Sequence, residues 1–315
     1  MTDSPIMLKQ AIPYIRLYKG KIFVVKVGGR IVGRRDMLDA LIEDICLLQQ
    51  VGVKIVLVHG GGPQATEMSR KLGLEPEIIA GRRVTDAKTL EVAKMVYAGT
   101  LNIDILSSCR THHSPAVGIS GVDGGLITAH KREKGMVEKT PGAVPVEVDF
   151  GFVGDIDKVN PKVLNHLLEG GLTPVVSCLG ADEEGVILNI NADSVAQAIA
   201  GALGAEKLVI VTDTEGLLKD AANPASLVSY TDVEEIETFK REGRLTGGML
   251  PKVDACIKAL KGGVRRTHII NGTKPGALLR EIFTNAGCGT MIVERRERQS
   301  YQQAELEAQP QAVSA

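Results

Sequence analysis

The sequence predicts an α/β fold around a parallel sheet, on three observations. Two short β-branched runs, Ile22-Phe23-Val24-Val25-Lys26-Val27 and Ile55-Val56-Leu57-Val58-His59, have the continuous apolar character of strands buried on both faces. Each run ends in glycines, Gly28-Gly29 and Gly60-Gly61-Gly62-Pro63. Strand-like and helix-like segments then alternate along the chain, which calls for right-handed crossovers between parallel strands.

The elements follow in order. Residues 6–18 carry Met7, Leu8, Ala11, Ile12, Ile15 and Leu17 near a helical period, with Pro13 as a kink, and this helix precedes the sheet unit. After the first strand, Leu38, Leu41, Ile42, Ile45 and Leu48 form one helical stripe that Gly52 stops. Pro63 opens a helix reaching Gly73, and Thr85 or Asp86 caps a long helix through Met95 and Leu101 to about Cys109. Ala116–Ser120 reads as a third inner strand. Residues 130–148 mix Lys131, Arg132, Glu133, Lys134, Glu138 and Lys139 with Pro141, Gly142 and Pro145, the pattern of an exposed, solvated hairpin or loop. A helix over 161–169, a strand over 174–177 and a turn over 180–185 lead to Val186-Ile187-Leu188. An Ala-rich helix over 192–203, with Asn191 or a neighbour as cap, precedes the buried strand Leu208-Val209-Ile210-Val211, which closes on Thr212-Asp213. A helix over 251–260, a strand over 267–270 and a helix over 275–283 complete the pattern, and the polar tail beyond Arg298 reads as disordered.

Composition narrows the function. A chain of 315 residues with 44% hydrophobic content can bury a sizeable core in one large domain or two lobes. The balance of 37 basic and 38 acidic residues argues against a broad nucleic-acid footprint and leaves room for a local basic site. Cys46, Cys109, Cys178, Cys256 and Cys288 are scattered without a CxxC pair, as expected of reduced thiols in small buried positions. His112-His113 lacks the spacing of a metal site. Residues 1–9 lack the regions of a signal peptide and no apolar stretch is long enough for a membrane span, so the expected compartment is the cytoplasm.

Ligands of parallel sheets bind beyond the carboxyl ends of the strands, where glycines let backbone N–H groups approach an anion. Lys26 adds a positive charge there. Neither turn carries the Walker A or dinucleotide pattern, and a lone strand-glycine turn also serves packing. Three further segments strengthen the signal. Gly81-Arg82-Arg83-Val84-Thr85 offers guanidinium groups ahead of a helix, suited to a carboxylate. Asn189-Ile190-Asn191-Ala192-Asp193 sets two amides and a carboxylate at a strand-to-helix junction. Thr246-Gly247-Gly248-Met249-Leu250-Pro251-Lys252 places a lysine in a first helical turn, where the macrodipole disfavours a cation unless an anion is near; an ordinary surface lysine is the plain alternative. Phosphoryl transfer needs in-line positioning and charge neutralisation, which two lysines, glycine N–H groups and a nucleotide-borne divalent metal can supply.

Taken together, Lys26-Val27-Gly28-Gly29, His59-Gly60-Gly61-Gly62-Pro63-Gln64, Gly81-Arg82-Arg83-Val84-Thr85, Leu188-Asn189-Ile190-Asn191-Ala192-Asp193 and Gly247-Gly248-Met249-Leu250-Pro251-Lys252 resemble the motif series of the N-acetylglutamate kinases, in the amino acid kinase superfamily, over residues 21–293. The resemblance implies an open αβα sandwich with a largely parallel central sheet, divided into a substrate lobe over 21–188 and a nucleotide lobe over 189–296. It implies ATP-dependent phosphorylation of the γ-carboxylate of N-acetyl-L-glutamate in arginine biosynthesis, with Mg²⁺ carried on the phosphates and no metal ligands on the protein. Lys26 and Lys252 then stabilise the transferring group, and Asp193 orients them. Gly28 and Gly29 serve the nucleotide together with Asp213 and Gly216, while Gly61, Gly62, Arg83, Asn189 and Asn191 serve the substrate.

Arginine-inhibited members carry an N-terminal helix that links dimers into a ring-shaped hexamer, and residues 1–20 resemble that version. Tyr14, His268, Glu281 and Gly287 are its implied L-arginine site. Ile103 stands where the family has a lysine, Arg82 where an apolar residue is usual, and the segment 131–147 is long, which bears on the acyl group accepted. Related kinases of N-acetyl-α-aminoadipate, N-succinylglutamate, carbamate, glutamate or aspartate are the rivals; the chain after residue 296 is short for the appended domains of the last two. A non-catalytic effector-binding member is disfavoured by Lys26, Lys252 and Asp193.

Overall fold

Ile22–Val27 and Lys54–His59 lie next to each other inside an eight-stranded sheet, as two apolar runs that need cover on both faces require. Across the sheet the order is Tyr230–Asp232, Thr290–Val293, Arg266–Asn271, Lys207–Thr212, Ile22–Val27, Lys54–His59, Thr173–Ser177 and Ala116–Ser120. Neighbours are parallel except Arg266–Asn271 with Thr290–Val293. The computed structural model describes residues 4–138, 143–220, 223–245, 247–284 and 287–295. The tail 297–315, Thr246 and the stretch 139–142 of the charged segment lie outside the described residues.

Register decides where a ligand can sit. Val27 is opposite both His59 and Val211, and Ser177 is opposite His59, so the four central strands end on one line. The chain turns to one side of Ile22–Val27 for Lys54–His59 and to the other for Lys207–Thr212, which makes this strand end a topological switch point with a crevice beyond it. Both glycine turns and Asp213 emerge there.

Helices form two groups. Arg35–Gln50 packs with Asn102–Thr111 and Ala277–Phe283, while Ala192–Ala202 packs with Met249–Lys261, and both groups touch the sheet. The stripe Leu38, Leu41, Ile42, Ile45 and Leu48 is buried, as its period predicts. The N-terminal helix Ser4–Tyr18 runs through Pro13, meets Ala277–Phe283 and buries Tyr18 edge-on against Phe23. Among the described residues, no helix is long and apolar enough to cross a membrane.

Two expectations need correction. Ala116–Ser120 is an edge strand, and only its last residue is fully buried, because strand order follows the crossovers and not the chain. The long helix is three segments: Ala87–Ala93, capped by Asp86 through Thr89 N at 2.7 Å, a π-helical stretch Lys94–Leu101, and Asn102–Thr111. Such wide turns recur at functional sites, and this one carries Tyr97 and Leu101 against Gly61, where a Cβ would strike Leu101 and lie 2.9 Å from the Tyr97 ring. The segment 130–148 is exposed over most of its described residues, as its charge pattern predicts, and only Val148 among them is buried. Besides the hairpin Gly135–Val137 with Val146–Val148, it contributes to a second sheet of Gly154–Val159, Ile127–Lys131, Leu179–Ala181 and Ile187–Asn189.

Candidate active site

Asp193 is the centre of the crevice. Asn191 caps the helix Ala192–Ala202, its Oδ1 accepting from Asp193 N at 2.9 Å and Ser194 N at 3.1 Å, so the Asp193 carboxylate sits in the first turn at the positive end of the helix dipole. It is only 5% exposed, with Lys26 Nζ 2.7 Å from Oδ1 and Lys252 Nζ 3.5 Å from Oδ2. Burial alone would raise the Asp193 carboxyl, but the Lys26 and Lys252 ammonium groups hold it below its ordinary range. Burial pushes Lys252 down, against the pull of Asp193. Two cations on one carboxylate leave a net positive charge in the crevice. An anion placed there is stabilised from both sides.

Two clefts meet at these lysines. One, of about 490 Å³, is lined by Gly28, Gly29, Asp213, Thr214 and Met249; the other, of about 470 Å³, by Gly61, Gly62, Arg83, Asn189, Asn191 and Tyr97. Lys26, Gly29, Pro63 and Lys252 belong to both. Both ammonium groups therefore stand where the two clefts adjoin.

Arg83 shows the polarity of the second cleft most clearly. Its Nη2 donates to Gly62 O at 2.8 Å and to Thr66 Oγ1 at 2.6 Å, whereas Nη1 is buried without a protein partner. A buried charged donor without an acceptor is costly, and a carboxylate would satisfy it. Asn189 Nδ2 donates to Thr85 Oγ1 at 3.1 Å, which fixes its amide. Asn191 lines the same cleft, but its side-chain oxygen is engaged as the helix cap.

On the other side, Gly29 and Gly62 each open a helix, so their N–H groups have no intrahelical acceptor. Gly28 differs: its N–H donates to Val211 O at 3.1 Å and is not free for a ligand here. Asp213 pairs across the cleft mouth with the exposed Arg30. Gly216 is not among the lining residues of either cleft; it takes a φ of 113° and packs on Thr290, Ile269 and Leu227, where a Cβ would come within 2.8 Å of Thr290 Oγ1.

The four residues of the implied effector site also come together. His268 Nδ1 lies 2.7 Å from Glu281 Oε1, and Gly287 packs on that carboxylate with no room for a Cβ. Tyr14 stacks on Tyr18. Lys207 completes the chain, 5.1 Å over the Tyr18 ring and 3.0 Å from His268 Nε2. Burial and Lys207 push the imidazole down, while the His268 hydrogen bond holds Glu281 low against its burial.

Several residues escape sequence reading. Arg132 belongs to a stretch with the composition of a solvated surface, yet it pairs with Asp155 at 2.8 Å and lines the second cleft. Lys207 opens an apolar strand, and a lone lysine there has no pattern to mark it. His59 is fully buried below the second glycine turn, with Asn102 Nδ2 3.3 Å from its Nε2 and Gly60 O 3.4 Å from its Nδ1.

Burial pushes the His59 imidazole down to about 4. Between its ordinary value and that one, the unfolded chain binds the proton and the folded chain does not, so stability falls as pH falls. The parent should lose about 2 kcal/mol on this account between roughly pH 7.5 and pH 5. Denaturant midpoints at both pH values should show a smaller loss in His59→Gln; an equal loss would place the titration elsewhere.

The profile of the Amino acid kinase family matches residues 21–271. The chain belongs to the amino acid kinase family. It is 44% identical over 297 residues to the acetylglutamate kinase of Symbiobacterium thermophilum, covering 93% of this chain and 98% of that one. It is likewise 44% identical over 292 residues to that of Methanocaldococcus jannaschii, covering 93% and 97%. Among solved structures, the N-acetylglutamate synthase of Neisseria gonorrhoeae with coenzyme A and N-acetyl-glutamate superposes with a TM-score of 0.80 at 28% identity, over 93% of this chain and 64% of the synthase. Its complex with coenzyme A and L-arginine gives 0.79 at 27% identity, over 93% and 66%. The present chain thus spans about two thirds of that synthase. As a kinase, it carries the α/β architecture of its family on the mostly parallel eight-stranded sheet.

Proposed function

We propose that this kinase transfers the γ-phosphoryl group of ATP to the γ-carboxylate of N-acetyl-L-glutamate, forming N-acetyl-L-glutamyl 5-phosphate for arginine biosynthesis. The observation that carries the reading is the Lys26–Asp193–Lys252 bridge at the junction of the two clefts. ATP occupies the cleft of Gly28, Gly29 and Asp213, and the acylated amino acid that of Gly61, Gly62, Arg83 and Asn189. Arg83 Nη1 takes the substrate α-carboxylate, which directs the γ-carboxylate toward the lysines. Mg²⁺ would be carried on the nucleotide phosphates, whose charge it would offset, and Asp213, paired with Arg30, is the carboxylate lining that cleft that could face it. The substrate and nucleotide lobes then divide near Asn189, although Gly28 and Gly29 reach the nucleotide from the first lobe.

Hydroxylamine trapping of the acyl phosphate tests this directly. Acetylglutamate should outperform N-acetyl-α-aminoadipate, N-succinylglutamate, carbamate, glutamate and aspartate. Turnover of one of these in preference to acetylglutamate overturns the assignment. Arg83→Ala should raise KM for acetylglutamate roughly 10- to 100-fold and leave KM for ATP nearly unchanged, the usual loss of a charge-assisted hydrogen bond.

The connected set Tyr14, Tyr18, Lys207, His268, Glu281 and Gly287 supports feedback inhibition by L-arginine, and the resemblance of residues 1–20 to the helix of arginine-inhibited members supports a hexamer built as a trimer of dimers, with the cytoplasm as its compartment. Saturating arginine without effect over a range of acetylglutamate concentrations refutes the first. A solution mass of a dimer refutes the second.

A further inference from the structure

We propose that Gln64 is a positioning residue, one that fastens the Gly28-Gly29 turn to the Gly61-Gly62 turn and thereby sets the span across which the phosphoryl group is passed. The inference rests on the phosphoryl-transfer reading of the two clefts. Gln64 stands in the first turn of the helix Gly62–Lys71, and its Nε2 donates to Gly29 O at 2.7 Å. Gly29 borders both clefts, so whatever fixes its peptide fixes the nucleotide and substrate sides together.

The packing leaves this contact no slack. A Cβ on Gly29 would lie 2.9 Å from Gln64 Oε1, 2.9 Å from Pro63 Cδ and 3.3 Å from Gly61 Cα. A Cβ on Gly33, one turn further along, would strike Gln64 Nε2. The amide orientation follows from chemistry, since Gly29 O is an acceptor and only the NH₂ end can face it. Gln64 Oε1 is buried without a hydrogen-bond partner, which is tolerated only if the contact at the other end outweighs it. Gln64 borders neither reaction cleft; it lines a separate cavity with Gly33, Met68 and Leu101. It acts on the reaction through Gly29 and touches no reacting atom.

Two near-isosteric variants separate this role from a merely structural one. In Gln64→Glu an ionised carboxylate meets Gly29 O, two acceptors repel, and the turns spread. In Gln64→Met the donor is absent and no charge is added. Both should lower kcat by about 10- to 100-fold, the cost of a displacement on the order of 1 Å, with each KM within about threefold of the parent. The distinguishing readout is pH. A protonated carboxyl can donate to Gly29 O, so the ratio of Gln64→Glu to parent kcat should rise toward unity as pH falls, whereas the Gln64→Met ratio stays flat.

Parental kcat in Gln64→Met, a loss confined to KM, or the same flat deficit in both variants overturns the proposal. Should Gln64→Glu fail to fold, the kcat and KM of Gln64→Met still decide it. The ratios can be measured on whichever acceptor the parent phosphorylates, so failure of acetylglutamate as substrate is seen in the parent alone and is distinct from failure of the clamp.

Discussion

Lys252→Ala should lower kcat by about 10²- to 10³-fold while ATP binding weakens by less than about tenfold. The expectation follows from where the lysine stands. Lys252 lies in the first turn of Met249–Lys261, a position at which the helix dipole repels it, and burial disfavours its charge further. Asp193 is what keeps it charged and in place. A cation held against both forces costs stability in the resting enzyme and is useful only when negative charge collects nearby. That charge is greatest while the phosphoryl group is between its two oxygens, so the interaction is worth most in the transition state. ATP also meets Lys26, the Gly29 N–H and the rest of its cleft, so its ground-state affinity depends less on Lys252. Steady-state kinetics beside calorimetric titration with a non-hydrolysable ATP analogue separates the two effects. Equal turnover in variant and parent would remove Lys252 from the mechanism.

The parts of the site that sequence reading reached are those in which one residue type faces two local demands. Lys26 interrupts an apolar strand, Lys252 opposes a helix dipole, and Asn191 and Asp193 stand where a helix needs a cap and a first-turn anion. Each is visible in a short window because the conflict is local. The central strands were legible for the same reason, since burial on both faces leaves a continuous apolar run. What escaped depends on partners far along the chain. Lys207 acquires meaning only when the strand Arg266–Asn271 brings His268 beside it, and Arg132 only when Gly154–Val159 supplies Asp155. The edge position of Ala116–Ser120 comes from the order of crossovers, which no period encodes. The glycines mix both cases. Gly28, Gly29 and Gly61 border the clefts, but the Gly28 N–H is taken up by Val211 O, and Gly216 accommodates a neighbouring strand.

Asp193→Asn has the largest expected effect, because it acts on both lysines and on the fold. The change is isosteric and keeps a group able to accept from the ammonium ions, yet it removes the charge that holds Lys26 and Lys252 together. The buried Lys26 and the half-buried Lys252 then face each other with a neutral amide between them. Breaking a buried ion pair by removing one partner costs about 3–5 kcal/mol, which should appear as a lower denaturant midpoint at neutral pH. The sign with pH is set by the depressed carboxyl of Asp193. Its stabilisation is fully present above the ordinary carboxylate range and is lost only as pH falls through the lower folded value, so the gap between parent and variant should stay constant near neutrality and close in strong acid. The alkaline side reports on Lys252. Without Asp193 the Lys252 ammonium loses the interaction that offsets its burial, and repulsion from Lys26 favours its deprotonation. kcat should therefore fall by about 10²- to 10³-fold at neutral pH, and the alkaline limb of its pH profile should move to lower pH in the variant. A variant with reduced stability but parental kcat and an unmoved alkaline limb would mean that Asp193 only braces the fold, and that the two lysines hold their charge and geometry without it.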